Sequence, residues 1–190
     1  MGGGSSDAAA VLRGLDRLFG NPLGCRGLIE LAGSIGSDVA FCVAGGTCLA
    51  TGRGEKLERL PSMPQCSIVI CKPEFSVSTP ELFRRLDQNH LRRHPDTAGI
   101  IAALERGELK ELCRRMYNVF EDVDDRRLHT VKDIKGLMLD HGALGAMMTG
   151  TGSAVFGIFR RGADTEKLVE RLHNAYGFCE TAENVSRLLS

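Results

Sequence analysis

The chain has 190 residues, and its 24 lysines and arginines balance 24 aspartates and glutamates to a formal net charge of zero. That balance argues against a general nucleic-acid surface, no run approaches the ~18 apolar residues of a membrane span, and no signal peptide precedes the first helix. The length holds one good-sized domain or two small ones. Seven cysteines, at 25, 42, 48, 66, 71, 113 and 179, are scattered without a CxxC. They fit reduced thiols of a cytoplasmic protein rather than a disulfide framework or a zinc site. The five histidines, at 90, 94, 129, 141 and 173, are equally dispersed, and none pairs with a cysteine or acid at metal-ligand spacing.

Gly2 to Ser6 reads as a glycine-rich loop running into a helix, with Ser5, Ser6 and Asp7 as N-cap candidates. Ala8, Val11, Leu12, Leu15, Leu18 and Phe19 recur at helical spacing and define one apolar face. Gly20-Asn21-Pro22 stops that helix, and Leu28, Ile29, Leu31 and Ala32 predict a second one ending near Gly33. Gly36-Ser37-Asp38 reads as a turn into a buried strand over Val39–Val43. Ala44-Gly45-Gly46 reads as a hairpin connection, and Thr47–Thr51 and Glu55–Leu60 as short strands. Pro61 and Pro64 bracket a linker.

A new unit opens with an apolar strand at Ser67–Cys71. Thr79-Pro80-Glu81 places an N-cap and a first-turn proline at a helix start. Further helices follow around Ile100–Leu104 and Leu109–Met116, and a third stripe of Val131, Ile134, Leu137 and Met138 closes at Gly142. Ala143–Met148 and Ala154–Phe159 read as strands joined by Thr149-Gly150-Thr151-Gly152-Ser153. An amphipathic helix through Leu168, Val169, Leu172 and Tyr176, capped by Asp164, precedes a closing strand at Phe178–Ala182. Interspersed helices and hairpin-like strand pairs give an α+β class.

Three clusters carry chemistry. Glycines at a helix start let an anion approach bare backbone N–H groups at the positive end of the helix dipole. The serine hydroxyls beside them add hydrogen bonds or reach a magnesium ion on the phosphates. The competing reading is a flexible Gly/Ser start, and no Gly-Lys-Ser/Thr follows at P-loop spacing. Asp38, after a Gly-Ser turn, can orient a hydroxyl and accept its proton, or simply close its own turn. The small-residue loop from Thr149 to Ser153 can form a nest of N–H groups, or be an ordinary strand connection.

In this order GGGSSDAA, GSDV and MTGTGSAVFG resemble the GHMP family of small-molecule kinases, over essentially the whole chain. The Phe41 and Gly45-Gly46 that follow Asp38, the Ala50–Glu55 segment, Ser78–Phe83 and Met148–Gly157 are similar to one branch. That branch phosphorylates the 2-hydroxyl of 4-diphosphocytidyl-2-C-methyl-D-erythritol, in the non-mevalonate route to isoprenoid precursors.

The resemblance implies an α+β GHMP fold. Residues 1–62 would be the remnant of a ribosomal-S5-like ATP-binding domain, residues 65–190 a ferredoxin-like domain, with the active cleft between them. Gly2, Gly3, Gly4, Ser5 and Ser6 would wrap the ATP phosphates, with Ser5 and Ser6 near Mg²⁺. Asp38 would be catalytic. Thr79 and Phe83 would lie near the substrate, or serve as an N-cap and a core aromatic. Gly150, Gly152 and Ser153 would close over the phosphates. ATP and the alcohol are the implied partners, with no nucleic acid or membrane.

Asn118 matches a family asparagine without an assigned role. The family's catalytic lysine, asparagine, Tyr-His pair and most of its adenine pocket have no counterpart here. Met1 stands where the family has leucine, and Ala40 where a proline is common. The resemblance therefore leads one to expect a kinase cut within its first motif, with little activity of its own. Other readings are a GHMP kinase for mevalonate, homoserine or a sugar, and a non-catalytic nucleotide-binding fragment.

Overall fold

The computed structural model describes residues 2–88, 94–123 and 125–185; Met1 and His90 lie outside them. These residues form two compact units. One runs up to Met63 and includes Val185; the other is Pro64–Asn184. No described helix is long and apolar enough to cross a membrane.

In the first unit, helix α1 spans Gly3–Leu18, α2 Gly24–Ile35 and α3 Ser37–Ala44. The expected glycine loop is thus the opening turn of α1. Gly2 takes a left-handed φ of 66°, Ser6 N–H reaches Gly2 O at 2.9 Å, and no side chain caps the end. Ser5 and Ser6 are helical residues rather than caps. Glycine is a poor helix former, but packing of one face outweighs propensity here. That face is Ala9, fully buried against Leu28, Ala32, Val39, Ala40 and Val43, with Leu12 beside it. The expected stripe of Val11, Leu15, Leu18 and Phe19 is instead exposed. The helix turns inward on its small residues, which allow close approach to α3. Arg13 Nη1 then donates to Cys42 O at 2.7 Å, and Asp16 Oδ1 accepts from Leu23 N–H at 3.1 Å.

The strand expected over Val39–Val43 is helix α3. Its buried positions 39, 40, 43 and 44 recur one turn apart, a helical spacing that a short apolar run hides. Likewise Gly45 is no hairpin turn. It ends α3 with φ 62° and its N–H on Phe41 O. The two short strands do pair: β1, Cys48–Thr51, runs antiparallel to β2, Lys56–Arg59, with Thr51 opposite Lys56.

In the second unit, strand β3 (Cys66–Pro73) is followed by α4 (Thr79–Gln88), α5 (Thr97–Glu105), α6 (Leu109–Arg115) and a 3₁₀ turn, Val119–Asp122. Then come α7 (Arg127–Asp140), β4 (Gly145–Met148), β5 (Val155–Arg160), α8 (Glu166–Tyr176) and β6 (Gly177–Glu183). The sheet is antiparallel, ordered β4-β5-β3-β6, the ferredoxin-like arrangement. Val69 and Cys71 of β3 and Val155 and Phe159 of β5 share a core with Leu128, Val131, Ile134 and Met138 of α7 and Leu168 and Leu172 of α8. Helix α4 starts at the expected cap, Thr79, one residue before the expected first helical residue Pro80, with Leu82 N–H on Ser78 O at 3.0 Å. Asp164 does accept from the start of α8, at Glu166 N–H, 3.2 Å.

An ion network ties the start of α4 to the start of α7. Arg127 donates from its backbone and guanidinium to Asp125, at 2.9 and 2.5 Å, and Arg85 reaches Asp125 at 3.3 Å. Glu81 pairs with Arg85 at 2.6 Å and Arg127 at 3.5 Å. The Arg127 guanidinium, aided by Arg127 N–H and by Arg85, holds the buried Asp125 carboxyl down at about 2, against an ordinary value of 3.8.

A carboxyl depressed in the folded state stabilises it fully above the unfolded value and loses that effect as pH falls through the folded one. The Asp125 contribution, on the order of 2 kcal/mol, is therefore complete above about pH 4 and lost toward pH 2. Urea unfolding of wild type and Asp125→Asn across this range checks it: the difference between the two should be flat above pH 4 and shrink below.

Candidate functional site

The candidate residues fall in both units, and each group is built by its own unit. In the first unit, α1 opens with Gly3, Gly4 and Ser5, whose N–H groups have no partner within the helix. A Cβ at Gly2, Gly3 or Gly4 would meet nothing within 4 Å. Packing inside the chain therefore demands none of these glycines; Gly2 suits its left-handed φ of 66°, and Gly3 and Gly4 leave the helix N–H groups bare. Ser5 is half-buried and Ser6 exposed in the same turn.

Asp38 is exposed in the first turn of α3, and the backbone beside it is tied down. Ser37 Oγ donates to Arg53 O at 3.1 Å. The turn that supplies Arg53 is shaped by Gly52 (φ 69°), Gly54 (φ 100°) and Glu55, whose carboxylate accepts Arg53 N–H at 2.7 Å. The backbone N–H groups of Glu55 and Arg53 hold that carboxyl below its ordinary range. A Cβ on Gly54 would lie 3.1 Å from Ser37 Cβ. The Ala50–Glu55 segment thus braces the residue next to Asp38, a role its spacing in sequence does not show.

In the second unit, the loop between β4 and β5 turns through Gly150 (φ 54°) and Gly152 (φ 85°). Thr149 N–H bonds to Ala154 O at 2.9 Å and Gly152 N–H to Thr149 O at 3.0 Å. Among the described residues no acceptor meets the N–H of Gly150 or Thr151. Left-handed glycines with free N–H groups make a concave donor surface. Ser153, expected to close over the phosphates, is buried, and its Oγ donates to Phe75 O at 2.6 Å.

Thr79 lies beside this loop, its hydroxyl 2.9 Å from that of Thr151. Phe83 is 49% exposed, and its ring meets Phe120 edge-on at 4.9 Å. Thr79 is therefore not the helix cap, and Phe83 not a core aromatic. Asn118, for which sequence offered no role, donates to Met148 O and Gly150 O, each at 2.8 Å. A cavity of about 440 Å³ opens on this side, lined among others by Tyr117, Asn118, Phe120, Met148, Thr149 and Gly150.

Comparison with known proteins places these features. The model described as GHMP kinases N terminal domain matches residues 1–46, and that described as GHMP kinases C terminal matches residues 100–177. The chain belongs to the GHMP kinase family. Among relatives, 4-diphosphocytidyl-2-C-methyl-D-erythritol kinase of Caldicellulosiruptor saccharolyticus is 45% identical over 172 residues, 90% of this chain and 59% of the relative. The Bacillus subtilis protein of the same name is 44% identical over 181 residues, 95% of this chain and 61% of its own. This GHMP kinase chain thus spans about three fifths of the length of the curated relatives it matches. A crystal structure of 4-(cytidine 5'-diphospho)-2C-methyl-D-erythritol kinase superposes with a TM-score of 0.76 at 32% identity, covering 96% of this chain and 65% of that one. Homoserine kinase from Cytophaga hutchinsonii has a TM-score of 0.72 at 19% identity, over 98% and 65% of the two chains, a likeness of fold alone.

Within the GHMP kinase frame, sequence reasoning missed Ser37 and Arg53 beside Asp38, and Glu121 and Lys135 behind the second loop. Each acts through a hydrogen bond or ion pair to a residue 14 or more positions away, and no local pattern announces such a bond. Gly54→Ala tests the brace on α3. A side chain at φ 100° and 3.1 Å from Ser37 should cost about 1–3 kcal/mol, read as a lower urea midpoint of the 190-residue chain; Gly3→Ala, in open space, should cost far less.

Proposed function

We propose that the protein transfers the γ-phosphoryl group of ATP to the 2-hydroxyl of 4-diphosphocytidyl-2-C-methyl-D-erythritol. The observation that carries this reading is the opening turn of α1. Three successive glycines that internal packing does not require expose the N–H groups of a helix start, a ready anion site. The choice of alcohol rests on relatives 44–45% identical that bear that kinase's name.

In this reading Gly2, Gly3, Gly4, Ser5 and Ser6 hold the ATP phosphates through backbone N–H groups and hydroxyls. Asp38 orients the 2-hydroxyl and accepts its proton as the oxygen attacks the γ-phosphorus and the bond to the β–γ bridging oxygen breaks, releasing ADP. The N–H groups of Gly150 and Thr151 supply a second set of donors for phosphate oxygens, Gly152 shapes the turn that presents them, and buried Ser153 serves by fixing its loop on Phe75. Thr79 and the exposed ring of Phe83 contact the substrate, the ring offering a face to its planar base.

Magnesium fits as an ion carried on the phosphates. Among the described residues no group of three His, Cys, Asp or Glu side chains could hold a metal, whereas Ser5 and Ser6 offer the hard oxygen donors it prefers. When bound, it neutralises charge on the transferring group.

The test is single-turnover transfer followed by phosphorus NMR, with enzyme in excess so that slow chemistry still registers. Expected is a phosphate ester on 4-diphosphocytidyl-2-C-methyl-D-erythritol and none on mevalonate, homoserine or a sugar. Asp38→Asn should slow it by about 10²–10⁴-fold with ATP binding retained. ATP binding without transfer to any of these alcohols would replace this reading with that of a nucleotide-binding module.

A further inference from the structure

The donor loop after β4 is not self-supporting. Its two left-handed glycines lie between Met148 and the buried Ser153, and only two of its N–H groups bond within the loop or across its neck. Besides Ser153 on Phe75 O and the Thr79–Thr151 hydroxyl contact, its main chain is held by a segment some thirty residues earlier. Asn118 uses both amide hydrogens on the loop's carbonyls, Met148 O and Gly150 O, at 2.8 Å each. Its oxygen accepts Phe120 N–H at 3.0 Å and so starts the 3₁₀ turn. That turn carries Glu121, whose Oε1 accepts Met148 N–H at 2.6 Å and whose other oxygen pairs with Lys135 of α7. One short turn thus grips the main chain of the loop at three points, and α7, with Val131, Ile134 and Met138 buried in the core, anchors the grip.

We propose that Asn118 and Glu121 are positioning residues for phosphoryl transfer: they fix the N–H groups of Gly150 and Thr151 where phosphate oxygens are held. The inference rests on the kinase reading above. The chemistry is specific. Only an amide offers two donors to two carbonyls and an acceptor to a third group. A carboxylate of the same shape keeps the Phe120 bond but faces Met148 O and Gly150 O with repulsion. Neither residue touches the reacting atoms; each acts through the loop.

The test uses the 190-residue chain and four variants. Asn118→Asp keeps the turn's cap and loses the loop. Glu121→Ala removes the Met148 acceptor, and Glu121→Gln restores it without the charge. Ile134→Val perturbs the core alone. Amide hydrogen exchange at Thr149 and Gly152, both hydrogen-bonded in the loop, should rise at least about tenfold in Asn118→Asp and Glu121→Ala, with Ile158 unchanged. In the same two variants ATP affinity and single-turnover rate should fall, together on the order of 10²-fold, while saturation by the alcohol stays put. Glu121→Gln and Ile134→Val should match wild type in both. Unchanged ATP parameters in Asn118→Asp, or an equal loss in Ile134→Val, would overturn the positioning role and leave the kinase reading intact. A wild-type chain that binds no ATP would overturn both.

Discussion

A backbone N–H group can serve an anion only if nothing inside the protein has taken it and no side chain stands before it. That constraint shapes both candidate segments. At the start of α1 it is met by helix geometry, since the first N–H groups have no partner in the helix, and by glycines that leave open space. In the β4–β5 loop it is met by left-handed glycines that turn N–H groups outward. An unpaired main-chain donor destabilises a fold when buried, so both segments lie near the surface and are held by groups other than the donors themselves.

The two units hold them differently. Behind the first turn of α1 the support is apolar and close: Ala9 against Ala32 and Ala40, where residues larger than alanine would push the helices apart. Behind the β4–β5 loop the support is polar and directional: an amide on two carbonyls and a carboxylate on one N–H. A helix turn is rigid once its face is packed, because its own ladder fixes every φ and ψ. A glycine loop has no such ladder and needs its carbonyls pinned individually. The same demand for bare donors thus leads to alanines in one place and to asparagine and glutamate in the other.

This contrast explains what was legible in the sequence. Elements with a strong pattern were read correctly: α7 from Val131, Ile134 and Met138, α8 from Leu168 and Leu172, and the β3, β4 and β5 strands from their apolar runs. The motifs that carry the family likeness were legible as well. What failed was orientation and long range. Val39–Val43 was read as a strand and is a helix, because five apolar residues satisfy either period. The exposed stripe of Val11, Leu15 and Leu18 has a stronger apolar signal than the face that packs, because Ala9 adds little hydrophobicity although it sets the distance between helices. Asn118 and Glu121 act on residues some thirty positions away, where no spacing rule reaches.

The helical reading of α3 also changes what Asp38 can be. At the mouth of a strand its direction would follow the pleat of a sheet. In the first turn of a helix it follows the helix axis, and that axis is set by Val39, Ala40, Val43 and Ala44 in the core. Gly36 enters extended, Ser37 is bonded to Arg53 O, and Gly54 lies too close to Ser37 for a side chain. The backbone of Asp38 is therefore fixed from both sides while its carboxylate stays exposed. In the proposed reaction, where Asp38 would meet a hydroxyl in line with a phosphorus atom, such placement counts most, because misplacement by an ångström is worth on the order of 10²-fold in rate. The Ala50–Glu55 turn contributes no reacting group. Its glycines and its glutamate matter to the proposed site because they brace Ser37, the residue before Asp38.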